Sequence, residues 1–216
     1  MYLSSKCGGK IISKALDPHK RQLFSQLTSI TSSDPELAAK GTGILRILEI
    51  GIGSGSNLKY YPAGSHLIAI EPNAFFEKYF KENANEFDSL VLEKCLQVSA
   101  EEMIAVPSES IDVVVSTHVL CSVNDLKKCL EEIHRILVPG GKFFFVEHNS
   151  FEDGYRKLLQ KVSEPFWSFF SDGCQLSRNF DSHFNAAGFT SSEYKNVMVN
   201  GVFYVMRPHV IGTLTK

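Results

Sequence analysis

Long apolar runs are missing from this sequence. No window reaches about 18 uninterrupted apolar residues, the length a membrane-spanning helix needs. The opening stretch, MYLSSKCGGKIISK, has no apolar core of the kind a signal peptide carries. A soluble, cytoplasmic chain is expected, with peripheral membrane contact left open. Charge of one sign is not in excess either. The 22 Lys and Arg stand against 24 Asp and Glu, and no dense basic cluster occurs. Binding to nucleic acid through phosphate neutralisation is therefore not expected. The five cysteines (Cys7, Cys95, Cys121, Cys129 and Cys174) form no C-x-x-C pair. A zinc site has no support from spacing, and no metal is expected. Their odd number and scatter suit a reducing compartment.

What is present is a regular alternation. A helix is expected over Pro18–Leu27, with its proline in the first turn. Residues 31–43, rich in Ser, Thr, Gly and Pro, read as a linker. Short apolar runs at Leu45–Ile50, Leu67–Ile70, Leu90–Val98, Ile111–Ser116 and Phe143–Glu147 read as buried parallel strands. Between them come a short helix at Asn57–Tyr61 and longer ones at Ala74–Ala84 and Asn124–Leu137. The last carries Leu126, Leu130, Ile133 and Leu137 at helical spacing, and Pro139-Gly140-Gly141 is expected to stop it. An aromatic-rich helix over Tyr155–Phe170 and strands near Ser192–Val199 and His209–Thr215 complete the chain. The expected fold is α/β: a Rossmann-like doubly wound, mostly parallel seven-stranded sheet with helices on both faces. Such sheets bind ligands at the carboxyl ends of their strands.

The chemistry is concentrated in LEIGIGSGSN, Leu48 to Asn57. A strand delivers Glu49 and Gly51 into a turn containing Gly53 and Gly55, and Asn57 follows. Glycine lets a ligand lie against the backbone. A dinucleotide fingerprint has G-x-G-x-x-G; here the third glycine falls one residue early, which counts against a nicotinamide enzyme. About twenty residues beyond Gly51 comes Glu71, in IAIEPN with Pro72 and Asn73, where a ribose-binding carboxylate is expected. SAEEM, with Ala100 and Glu101, follows the third strand. It could read an adenine edge or simply start a helix. Thr117 and His118 leave the fourth strand, where a parallel sheet presents side chains to cofactor and substrate.

In this order the elements resemble the class I S-adenosylmethionine-dependent methyltransferases. The matched pieces LEIGIGSGSN, IAIEPN, SAEEM, DVVVSTHVLCSV and LEEIHRILVPGGKFFFVEH span most of residues 44–148. Further runs (KRQLF, EPFW, DGCQLSR and VMRPHVIG) are similar to the membrane-associated alkyl-thiol methyltransferases among the methyltransferase-like proteins. The resemblance implies S-adenosyl-L-methionine as cofactor, bound by Glu49, Gly51, Gly53, Gly55 and Glu71. It also implies methyl transfer to a small alkyl thiol, giving a thioether. Relatives carry a hydrophobic anchor and sit at the endoplasmic reticulum or lipid droplets; no such run occurs in these residues. Ile52 and Ser54 stand where relatives often have Cys and Thr, and Ala100 where some have Gly.

Two units are expected: residues 1–43 as helical segment and linker, and 44–216 as the methyltransferase domain, with 150–190 as a substrate-side insert. That insert, together with Cys121, is expected to supply an acceptor pocket from Phe166, Trp167, Phe170, Asp172 and Cys174. His148, just beyond the fifth strand, is the candidate general base, with a hydrogen-bonded structural role as its alternative. A monomer acting on a small molecule is expected. The rival readings are a phenol, quinone or lipid acceptor, a non-catalytic cofactor-binding protein at a lipid surface, and, third, a nicotinamide oxidoreductase.

Overall fold

The computed structural model describes residues 2–171 and 173–216, with side chains from Ile11 onward except that of Phe170. Seven strands form one sheet in the order β3-β2-β1-β4-β5-β7-β6. They are β1 (Arg46–Ile50), β2 (His66–Ile70), β3 (Val91–Leu96), β4 (Ile111–Thr117), β5 (Leu137–His148), β6 (Ser191–Met198) and β7 (Pro208–Thr215). The first five pair in parallel; β7 runs antiparallel between β5 and β6. The central strands are buried on both faces because their apolar side chains alternate. Leu48, Ile50, Val114, Phe143 and Phe145 face one core; Ile47, Val113, Val115, Phe144 and Val146 face the other. The edge strands β3 and β6 are mostly exposed and carry Glu93, Lys94, Glu193 and Lys195, charges that discourage edge pairing with another chain.

The first core is covered by α4 (Leu126–Ile136) and α6 (Asp181–Ala186), the second by α1 (Tyr2–Phe24) and α3 (Phe75–Ala84). The remaining helices are α2 (Pro35–Ala38) and α5 (Gly154–Phe170). In α4, Leu126, Cys129, Leu130, Ile133 and Ile136 make one buried stripe, and the Asp125 side chain caps its first turn.

Three expectations need correction. The N-terminal helix runs through Pro18 rather than starting there. Its buried residues Leu16, Lys20, Leu23 and Phe24 recur at helical spacing, and the helix packs against β5 and β7. Tertiary burial thus offsets the hydrogen bond that proline removes, and Leu16, Leu23, Phe24 and Leu27 of residues 1–43 are packed into the second core. The linker is fastened too. Asp112 accepts from the Ser32 hydroxyl (2.6 Å), the Ser33 amide and hydroxyl (both 2.8 Å) and the Arg46 amide (2.8 Å). Finally, Pro139-Gly140-Gly141 lies inside β5, which begins directly after α4. The β4 pairing jumps from Ile111–Leu137 to Val113–Lys142, so these residues form a bulge.

Candidate functional site at the carboxyl ends of the strands

The chain leaves β1 into a turn with Gly51, Gly53 and Gly55 all at positive φ, followed by one 3-10 turn at Leu58–Tyr60. Gly51 is required by packing: a Cβ there would stand 2.4 Å from a Val119 methyl. Gly53 differs. At φ +52° its Cβ would meet nothing nearer than the Gly51 carbonyl at 4.0 Å, so it points into open space. That space is a cavity of about 210 Å³ lined by Gly53, Glu71, Asn73, Phe76 and Gln97, among others. One Glu71 oxygen accepts from the Gly53 amide (3.0 Å), the other from the Asn73 amide (3.1 Å). The carboxylate beyond β2 is thereby clamped onto the glycine turn beyond β1. Pro72 is exposed between them.

Glu49, Asn57 and Thr117 do not line this cavity. They form a buried network behind the turn. The Asn57 amide nitrogen donates to Glu49 (2.8 Å) and to the Thr117 hydroxyl (3.1 Å), and the Tyr61 hydroxyl donates to Glu49 (2.6 Å). Lys20 of α1 donates to the Asn57 side-chain oxygen, Oδ1, at 2.9 Å. Burial pushes the Glu49 carboxyl up to about 7, against the pull of Tyr61, Asn57 and Lys20. Burial also pulls the Lys20 ammonium down to about 8, against the attraction of Glu49. Lys20 belongs to KRQLF; its role as the network's cation was not legible in that motif.

A larger cleft of about 1030 Å³ adjoins the cavity, sharing Phe76. One wall is α1 (Ile12, Leu16, Lys20); the floor includes Ser54, Ser56, Thr117 and His118. His118 has φ +57°, a strained value for a non-glycine residue, held by its amide's bond to the Val146 carbonyl (2.9 Å). Its ring belongs to a cluster of three. The His209 Nδ1 is 3.0 Å from the Arg207 carbonyl, so it carries the proton. The bare His209 Nε2 then accepts from His118 Nε2–H at 3.0 Å, leaving His118 Nδ1 as an acceptor. His148 stacks on His118 with centroids 4.2 Å apart. Burial lowers all three, His209 to about 4, so all are neutral at pH 7.

His148 is therefore placed beneath His118 rather than on the cleft. Its Nδ1 lies 3.4 Å from Cys174 Sγ and 3.8 Å from Cys121 Sγ, and the two sulfurs are 3.2 Å apart. Of the insert residues expected in the pocket, the described ones lie apart from the cleft. Phe166 is 72% exposed on the outer face of α5, and Trp167 packs against the first core. Asp172 and the Phe170 side chain lie outside the described residues. Ala100 is buried in the first core; the Glu101 carboxylate accepts from Ser99 and from the Asn124 (2.9 Å) and Asp125 amides, joining SAEEM to the start of α4.

Residues 48–145 match the Methyltransferase domain family. The chain is similar to the human "Thiol S-methyltransferase TMT1A", at 34% identity over 207 residues, 95% of this chain and 82% of the relative. It is 35% identical to the mouse "Thiol S-methyltransferase TMT1B" over 94% of this chain and 80% of the relative. Among solved structures, a Burkholderia thailandensis 1,6-didemethyltoxoflavin-N1-methyltransferase with bound S-adenosylhomocysteine superposes with TM-score 0.65. It shares 15% identity, covering 100% of this chain and 85% of that one. A Thermotoga maritima methyltransferase gives TM-score 0.59 at 16% identity over 96% and 99% of the two chains. At such identities these two likenesses establish the fold.

Proposed function

The chain belongs to the thiol S-methyltransferase family of S-adenosylmethionine-dependent methyltransferases, and on that premise we propose that it methylates the sulfur of a small alkyl thiol. The observation that carries the reading is the open space in front of Gly53 beside the Glu71 carboxylate, next to the cleft over His118 with which it shares Phe76 as a lining residue. The cavity suits the nucleoside end of S-adenosyl-L-methionine. A side chain on residue 53 would fill it, and Glu71 is anchored where it can accept from ribose hydroxyls. Gly53, Glu71 and Asn73 would hold that end, with Thr117 and His118 at the floor of the cleft beyond it. When bound, the cofactor supplies an electrophilic methyl on a sulfonium.

The residues of this chain then have two tasks. One is to align acceptor and methyl, which is worth on the order of 7–11 kcal/mol when geometry is fixed. The other concerns the acceptor's proton, since the thiolate is the nucleophile and an ordinary alkyl thiol titrates near ~8.5. His118 Nδ1 can accept a hydrogen bond from S–H, but its buried ring is too weak a base to keep the proton. His148 is buried beneath it and also held neutral, so we assign it no proton transfer from the acceptor. The site captures the thiolate fraction, and turnover rises with pH between about 6 and 9. Methyl transfer from labelled cofactor across thiols, phenols and amines tests the reading. Preference for a phenol or amine over every thiol, or a flat pH profile with chemistry rate-limiting, would refute it.

The proposal extends to a lipid surface. Tyr155, Leu158, Val162 and Phe166 share one face of α5 and are between 59% and 80% exposed. No helix among the described residues is long and apolar enough to cross a membrane. The α5 face supports peripheral contact by a monomer.

A further inference from the structure

Cys121, His148 and Cys174 come from three separate segments: the loop after β4, the end of β5 and the turn after α5. Their ligand atoms form a triangle with edges of 3.2, 3.4 and 3.8 Å. A tetrahedral ion with about 2.3 Å bonds to sulfur and 2.0–2.1 Å to nitrogen sets sulfurs about 3.8 Å apart and each sulfur about 3.5 Å from the nitrogen. Small side-chain rotations bridge the difference. We propose that Cys121, Cys174 and His148 Nδ1 bind a thiophilic divalent ion, zinc by ligand type, beside the methyl-transfer cleft.

The surroundings favour this use of the triangle. Both thiols are buried, and among the described residues their polar contacts are each other, His148 and, for Cys121, the Ser122 hydroxyl at 3.8 Å. The ligand-bearing backbone is fixed in advance. Glu147 accepts from the Val119 and Cys121 amides, the Gln175 amide donates to the Cys121 carbonyl (2.9 Å), and Arg178 donates to the Leu120 and Val123 carbonyls. The ring of His148 is set by its stack on His118. A second triangle, His118, His148 and His209, is less suited: His118 and His209 already satisfy each other, and it offers no thiolate.

Binding balances simply. The ion forms two metal–sulfur bonds and one metal–nitrogen bond, and the two thiols release two protons. The buried cluster goes from neutral thiols to a neutral metal dithiolate, so no net charge is buried. The ion would tie the turn after α5 to the sheet beneath His118, and three protein ligands leave a fourth position for an exogenous ligand. The inference is independent of the acceptor's identity.

Metal content is the test. The full chain, produced with zinc and kept reduced, is expected to carry about one equivalent after dialysis. Its cobalt form is expected to show a thiolate-to-metal charge-transfer band. Cys121→Ser and Cys174→Ser should each abolish tight binding, whereas Cys129→Ala, a buried thiol outside the triangle, should retain it. X-ray absorption on wild type covers the case of misfolded variants: two sulfurs and one nitrogen at bonding distance are expected. Folded, reduced protein that takes up no zinc or cobalt would overturn the proposal. So would ligation unaffected by both serine variants, or a Cys121–Cys174 disulfide that persists under reductant.

Discussion

Adding one methyl group to Gly53 separates binding from folding in this protein. At φ +52° an alanine adopts a left-handed conformation, which costs roughly 1–2 kcal/mol. For a chain of this size that lowers Tm by about 2–8 °C. No steric term adds to it, because the nearest atom to the new Cβ is the Gly51 carbonyl oxygen at 4.0 Å. The methyl projects instead into the space beside Glu71 that the cofactor is proposed to occupy. An overpacked contact costs typically 1–3 kcal/mol, so affinity for S-adenosylhomocysteine should fall by about 5- to 150-fold. Gly51→Ala is the matched control. Its Cβ would lie 2.4 Å from Val119, whose amide is held by Glu147 at 3.1 Å, so a similar packing penalty falls on the fold itself. Calorimetric titration and thermal melting on both variants read the two effects. If Gly53→Ala melts a few degrees low yet binds as wild type does, the cofactor does not lie against this turn and the site assignment fails.

Three other outcomes are expected. Glu71→Ala should weaken cofactor binding roughly tenfold to a thousandfold, one or two charged hydrogen bonds at about 1.5–3 kcal/mol each, with little change in Tm; unchanged affinity in a titration would remove Glu71 from the site. Because the folded carboxyl of Glu49 titrates at about 7 against an ordinary 4.5, its neutral form favours folding. Stability from this group is full below about 4.5 and falls as pH rises to 7, by at most about 3 kcal/mol. Lys20, at about 8 against 10.5, adds stability as pH rises from 8 to 10.5. Denaturant titrations should thus show the pair's least favourable contribution between pH 7 and 8, and Glu49→Gln should flatten the acidic limb while deepening the Lys20 limb, because the attraction that opposes burial at Lys20 is lost; an unaltered acidic limb would mean Glu49 is not the source. Val162→Ser with Phe166→Ser should reduce flotation with anionic vesicles while leaving the fold intact, and unchanged strong flotation would place the contact elsewhere on the surface.

The apolar runs of β1, β2, β4 and β5, the glycine turn and the carboxylate beyond β2 could be read from the chain because each is local. Period and composition within six to ten residues suffice for a buried strand, and glycine at three close positions suffices for a turn that leaves the right-handed regions. Their order then dictated a doubly wound sheet. What could not be read was anything joining distant segments. Pro18 within a helix and Pro139-Gly140-Gly141 within a strand both violate local rules, and both are tolerated because neighbours elsewhere in the chain bury or pair them. Lys20 becomes the buried partner of Asn57, 37 positions away, only once α1 lies across the sheet. Cys121 and Cys174 are 53 residues apart and follow no metal-binding spacing; the docking of the turn after α5 on the loop after β4, where the Gln175 amide donates to the Cys121 carbonyl, brings their sulfurs to 3.2 Å beside His148. Sequence alone determined the strands, the turn and the place of the carboxylate beyond β2, since backbone propensity and apolar period act over short distances. The tertiary structure alone decided which ring faces the cleft, which helix walls it and which thiols meet, since burial and approach depend on segments that are far apart in the chain.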